Sequence, residues 1–295
     1  MTALVVILAR ATRAEFAKVF SLKAWWWLGL IMLIYVGFTA AALAFFFSEL
    51  GAQLTAAGTA AAAAATAESA AAGPDAVEVA TLVYSSVTAV GLIIPLLFGA
   101  LLATTEYRHG TLTPTVLAQP RRGVVLTAKA IVAMLMGALY GLVGLVGSVG
   151  LGAPVLIALG EPAALGETEV VAVLLRTLIA TALWSMLGLG LGALLTSQIA
   201  AIVITLVFTQ FVEPILRLVA SVWQWSAELG RFLPGSATDA LVGAGILSSL
   251  NTLDPSVPSA GVDALLWWQG GLVVAALVAL LFVAASVTTV RRDVE

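Results

Sequence analysis

Val125–Gly152 reads VLTAKAIVAMLMGALYGLVGLVGSVGLG, a long apolar run with a single charge, Lys129. About 20 mostly apolar residues in a helix cross the roughly 30 Å of bilayer hydrocarbon. The run is therefore long enough to span. Similar runs lie near 25–47, 81–104, 170–195, 198–219 and 265–289. The composition agrees, with 61% hydrophobic and 10% charged residues and a mean hydropathy of +1.10. The pattern predicts an all-α polytopic membrane protein, one transmembrane domain over 1–295.

The loops between these spans segregate charge. Arg10, Arg13, Lys18, Lys23, Arg108, Arg121, Arg122, Lys129, Arg291 and Arg292 fall on one side or just inside it, ten of thirteen basic residues. The other side has Arg176, Arg217 and Arg231. It collects Glu49, Glu68, Asp75, Glu78, Glu161, Glu167, Glu169, Glu228, Asp239, Asp254 and Asp263. Lys and Arg bias short loops toward the cytoplasm. Both termini are expected there, which needs an even number of spans, and six meets it. The start of the chain does not read as a cleavable signal, because its basic residues follow Met1–Leu8 rather than precede it.

Residues 3–23 read as a helix lying in the interface. Val5, Leu8, Thr12, Phe16, Val19 and Phe20 share one arc, with Arg10, Arg13 and Lys18 outside it. Such a basic amphipathic helix suits an anionic leaflet; a soluble helix packed on a partner is the alternative. Ala60–Ala65 could extend the first span outward or belong to a loose external hairpin. Pro95 is expected to kink the second span. Gly137/Gly141 and Gly188/Gly192 are small-xxx-small pairs, for packing inside the bundle or for a dimer seam. Thr196-Ser197-Gln198 makes spans four and five an antiparallel hairpin. The external segment 220–264 is the longest. Arg231–Gly235 reads as a turn, and Ser236 opens a short helix through Leu241, Ile246 and Leu250, with Asp239 completing Ser-x-x-Asp. That helix is expected along the outer leaflet or dipping into it.

Several chemistries are excluded. With no cysteine and one histidine there is no thiolate or His-cluster metal site, and a net charge of −3 gives no nucleic-acid footprint. No phosphate loop, H-E-x-x-H or G-x-S-x-G occurs, so no catalytic residues are assigned. The informative polar stretch is the loop 105–122, Thr105-Glu106-Tyr107-Arg108-His109-Gly110-Thr111-Leu112-Thr113-Pro114-Thr115-Val116-Leu117-Ala118-Gln119-Pro120-Arg121-Arg122. Gly110 permits a sharp exit from the second span. Thr113 as N-cap and Pro114 at the first helical position start a short helix, which Pro120 ends. A helix so brief has little to bury unless another protein covers it.

Glu-Tyr-Arg-x-Gly-Thr, a Thr/Leu stretch, Pro-Arg-Arg and a Lys in the next span resemble the permease subunit of a type-2 ABC exporter (ABC-2 family). Six spans, the amphipathic N-terminal helix and Leu233-Pro234-Gly235 agree with it. The resemblance implies that residues 111–119 are a cytoplasmic coupling helix docking on a separate ABC ATPase. Glu106, Tyr107, Arg108, Gly110, Thr111, Leu112, Thr113, Val116 and Leu117 would form the coupling region. Glu106 would contact the ATPase or brace the loop, 3–23 would be the connecting helix, and 235–250 an external gate. It further implies two ATPase copies, a second permease copy as a homodimer, a bacterial plasma (inner) membrane, and ATP and Mg bound by the partner ATPase rather than by this chain. His109 has no counterpart role.

Within the membrane, Glu213 and Arg217 lie four apart near the outer end of the fifth span, around Pro214. They read as a structural ion pair or an outer gate, with Thr209 and Gln210 extending that surface. On a pair alone, Glu213→Ala strands a charge and is worse than the double change with Arg217→Ala. The apolar, Thr-rich lining favours an amphipathic or lipophilic cargo: drug, antibiotic, peptide or lipid. The competing functional readings are a stand-alone secondary transporter, against which stands the lack of a charged mid-membrane relay, and a membrane assembly scaffold.

Overall fold

The structure, a computed structural model, describes residues 2–64, 76–108, 122–195, 197–222, 224–244 and 265–291. Among these there is no strand. Six helical segments are long and apolar enough to cross a membrane: Ala24–Glu49, Val77–Glu106, Gly123–Ala158, Thr168–Leu194, Gln198–Ala220 and Trp267–Val287, here spans 1 to 6. The chain is an all-α, multi-pass membrane protein. Span 3 runs several residues past its expected end, with Pro154 inside the helix. The helix of span 1 continues unbroken to Ala64, so the first part of the Ala-rich tract lengthens a helix instead of forming a loose hairpin. Ala is the best helix former, and nothing interrupts it there.

Span 2 is the centre of the bundle. Its apolar window is 72% buried, against 17% for span 5 and 22% for span 6. It packs chiefly on span 4, while span 3 packs on spans 1 and 4. The glycine pairs make these approaches possible. A Cβ on Gly188 would strike the Leu96 carbonyl, and one on Gly192 the Ala100 carbonyl, so spans 2 and 4 meet backbone to backbone. A Cβ on Gly137 would strike the Thr181 carbonyl and the Ser185 side chain of span 4, and one on Gly141 the Thr181 side chain. Both pairs therefore serve packing within one chain, where lipid supplies little hydrophobic drive.

Spans 2 and 5 are interrupted for identifiable reasons. Span 2 comprises three helical pieces, Ala76–Tyr84, Ser86–Val90 and Ile93–Arg108. Pro95 falls in the first turn of the third piece, where a missing N–H costs least. The Gly91 carbonyl that it cannot serve accepts from the Ile94 N–H at 3.1 Å. The kink is thus a break upstream of the proline. Span 5 carries a π turn at Phe208–Val212, immediately before Pro214; the wider turn accommodates the absent proline donor. Spans 4 and 5 do follow one another closely, with Ser197 as N-cap accepting from the Ala200 N–H at 3.4 Å. Yet span 5 leans on span 2 more than on span 4.

The short helix of the last long segment is Pro234–Val242, two residues earlier than the pattern predicts. Leu233 is its N-cap, and Pro234 opens it with a preset φ. Gly243, at φ 83°, closes it in the left-handed region that glycine adopts readily. Gly235 is therefore helical rather than part of a turn, and Ser236 is not a cap. Ile246 and Leu250 lie outside the described residues. The helix enters the bundle: Gly235, Ala237, Thr238, Leu241 and Val242 are buried. Thr238 Oγ1 accepts from Trp184 Nε1 of span 4 at 2.7 Å.

Candidate functional site

Two ion clusters sit at opposite ends of the bundle. At the end bearing the N-terminus, the helix Thr2–Ser21 lies on span 3. Its inward face is Leu8, Thr12, Glu15, Phe16 and Val19, whereas Val5 and Phe20 are exposed. Glu15 thus occupies the middle of an apolar stripe. Its carboxylate accepts from Lys18 Nζ at 2.6 Å and from Lys129 Nζ at 2.8 Å. Glu106, the last residue of span 2, accepts from the same two amines at 2.7 and 3.1 Å. Two acids and two bases close a neutral ring that joins the N-terminal helix, span 2 and span 3. The side chains of Glu15, Glu106 and Lys129 are 4%, 8% and 8% exposed, and that of Lys18 is 43% exposed.

The ring sets its own ionisation. Burial raises the Glu15 pKa, but the charge and hydrogen bond of Lys129, aided by Lys18, outweigh it and hold the carboxyl below its ordinary value. Burial lowers that of Lys18, but hydrogen bonds and charge from Glu106 and Glu15 outweigh it and hold the amine above its ordinary value.

Glu106 is the member of this ring that the sequence singled out. Tyr107 and Arg108 end the helix that carries it. His109, Gly110, Thr111, Leu112, Thr113, Val116 and Leu117 lie outside the described residues. Sequence spacing does not identify Glu15, Lys18 and Lys129 as its partners. The available signals were an acid inside an apolar stripe, a Glu-x-x-Lys spacing, and the single charge in span 3.

At the opposite end, Glu213 and Arg217 do pair, at 3.1 Å. Arg217 also donates to Asp239 at 2.7 Å, which ties span 5 to the short helix. Glu213 additionally accepts the Gly235 N–H, capping that helix from outside with a carboxylate where the dipole favours one. Asp239 is therefore an ion-pair partner rather than half of a capping box, and the unit is a triad. One acid and one base remain balanced if Glu213 is lost, so the expected stranding falls instead on removal of Arg217. Arg217 Nε is buried with no partner among the described residues. Thr209 is bound to its own helix through the Thr205 carbonyl at 2.8 Å, and Gln210 is exposed.

The arrangement is suited to holding helices in register. Within the two clusters each carboxylate is bound by a cation. Six spans with polar clusters confined to the ends fit a membrane transport protein. No protein-family model matches the chain, and no curated protein matches it.

Proposed function

We propose that the chain is the membrane-spanning permease subunit of an ATP-driven exporter, powered by a separate ATPase of the ABC class. The observation that carries this reading is the buried ring Glu15–Lys18–Glu106–Lys129. It locks together the helices on either side of residues 109–121 and the N-terminal helix beside them. A force delivered to that segment reaches spans 2 and 3 as one body, and through span 2, the centre of the bundle, the other spans. Glu106 fits the bracing role better than direct contact, because its carboxylate is already occupied from inside the bundle.

In this reading the N-terminal end faces the cytoplasm of a bacterial cell, where ten of thirteen basic residues gather. Two copies act with two ATPases, and the cargo is amphipathic or lipophilic. ATP binding and hydrolysis belong to the partner. The test uses single cysteines at 111–117 in this cysteine-free chain, crosslinked to a co-purified ATPase encoded beside it. Crosslinks there but not on the opposite end support the reading, and their absence in a co-purified, ATP-hydrolysing complex refutes it.

A further inference from the structure

A cavity of about 520 Å³ opens between the starts of spans 2 and 4 and the end of the short helix, lined by Glu78, Glu169, Arg176 and Gly243 among others. The volume is within the usual range for a ligand site. Arg176 is the decisive residue. It lies seven positions further into span 4 than Glu169, about 10 Å along the helix. A charge inside a span ordinarily has a named partner. Among the described residues Arg176 has no ion pair. Its guanidinium rests over the Trp267 ring at 4.8 Å. Glu78 and Glu169, each in the first turn of its span, are likewise outside any ion pair among the described residues. Three charges therefore face one cavity without neutralising one another, and they are ordered by depth. The cation lies at the level of Trp267, a residue type that marks the membrane interface, and the acids lie nearer the water.

A zwitterionic phospholipid presents the complementary order, with phosphate next to the glycerol and ammonium further out. We infer that this cavity binds the headgroup of a phospholipid with a primary ammonium, its phosphate on Arg176 and its ammonium between Glu78 and Glu169. Guanidinium engages phosphate through paired N–H donors. A primary ammonium brings three donors to two carboxylates; a trimethylammonium brings none. The site therefore ranks phosphatidylethanolamine above phosphatidylcholine, and both above phosphatidylglycerol, whose headgroup offers the acids no cation.

The experiment is native mass spectrometry of the delipidated full chain, titrated with dioleoyl forms of the three lipids and with soluble glycerophosphoethanolamine. Phosphatidylethanolamine is expected to bind about tenfold or more tighter than phosphatidylglycerol. Arg176→Gln abolishes that binding. The double variant Glu78→Gln with Glu169→Gln keeps Arg176 and reverses the preference toward phosphatidylglycerol, so the test survives if Arg176→Gln does not fold. Glycerophosphoethanolamine competing at millimolar excess only is the result expected for a lipid ligand, whereas competition at the lipid's own concentration overturns the lipid as the source. Equal binding of ethanolamine and glycerol lipids, or an unchanged preference in the double variant, overturns the proposal.

Discussion

Removing Lys129 is predicted to be far more damaging than removing Lys18, although both amines bind the same two acids. Lys129 is 8% exposed and bridges Glu15 at 2.8 Å and Glu106 at 3.1 Å. In Lys129→Met those two carboxylates, 4% and 8% exposed, share one remaining amine. Breaking a buried pair this way leaves an uncompensated charge and costs about 3–5 kcal/mol. Lys18 is 43% exposed, and water replaces much of what Lys18→Met takes away, so its loss is held to about 1 kcal/mol or less. Combining Lys129→Met with Glu106→Gln removes one charge of each sign and leaves the adjacent Glu15–Lys18 pair intact. The double variant is predicted to regain at least about 1 kcal/mol over the sum of the singles. Unfolding by SDS in mixed micelles, followed by tryptophan fluorescence, measures each free energy. Equal losses for the two lysine variants, or strict additivity in the double, would refute the closed ring.

The pH dependence of the N-terminal helix follows from the same ring. The lowered pKa of Glu15 contributes stability that is present above its ordinary value of 4.5 and is lost as pH falls through the folded value. The raised pKa of Lys18 contributes stability that is complete below its ordinary value of 10.5 and is lost as pH rises through the folded value. The protection of a cysteine placed at Glu15's neighbour Val19, taken as its labelling rate relative to that of an exposed cysteine at the same pH so that thiolate formation cancels, should be flat between about pH 5 and 10; a midpoint near pH 7 contradicts the assignment. In the opposite cluster, Arg217→Met should cost about 3–5 kcal/mol by leaving Glu213 and Asp239 facing each other. Glu213→Gln should cost about 1 kcal/mol, since its amide oxygen can still accept from Gly235; SDS unfolding that ranks the two in reverse excludes the triad. Gly188→Ala, aimed at the Leu96 carbonyl, should destabilise by about 1–3 kcal/mol. Gly150→Ala, with nothing within 4 Å of the new methyl, should be neutral or gain up to about 1 kcal/mol. Thermal unfolding in detergent compares the two.

The spans were legible because hydrocarbon thickness imposes a length and a composition on every crossing, and neighbours change neither. Their interruptions were not equally legible. Pro95 was visible, but whether it kinks a helix or begins one depends on Gly91 supplying an alternative hydrogen bond upstream. The ion ring was hidden because its members are distant in sequence: Lys18 and Glu106 are 88 residues apart, and Lys129 and Glu15 are 114. A single sequence offers no periodicity across such gaps. Glu213 and Arg217 share one helix, so their spacing revealed them. Asp239 sits on another helix, and its local Ser-x-x-Asp pattern pointed to a cap. The competing principle was charge balance, since a buried guanidinium beside one acid draws in a second when the fold brings it near.

Reconstitution into liposomes tests the account most directly. The purified chain, alone and then with its co-purified ATPase, is assayed for ATP hydrolysis and for movement of a lipophilic fluorescent cargo. The account predicts neither activity from the chain alone, both from the complex, and cargo movement lost with hydrolysis retained in Glu106→Gln. Cargo movement by the chain alone under an ion gradient would contradict it.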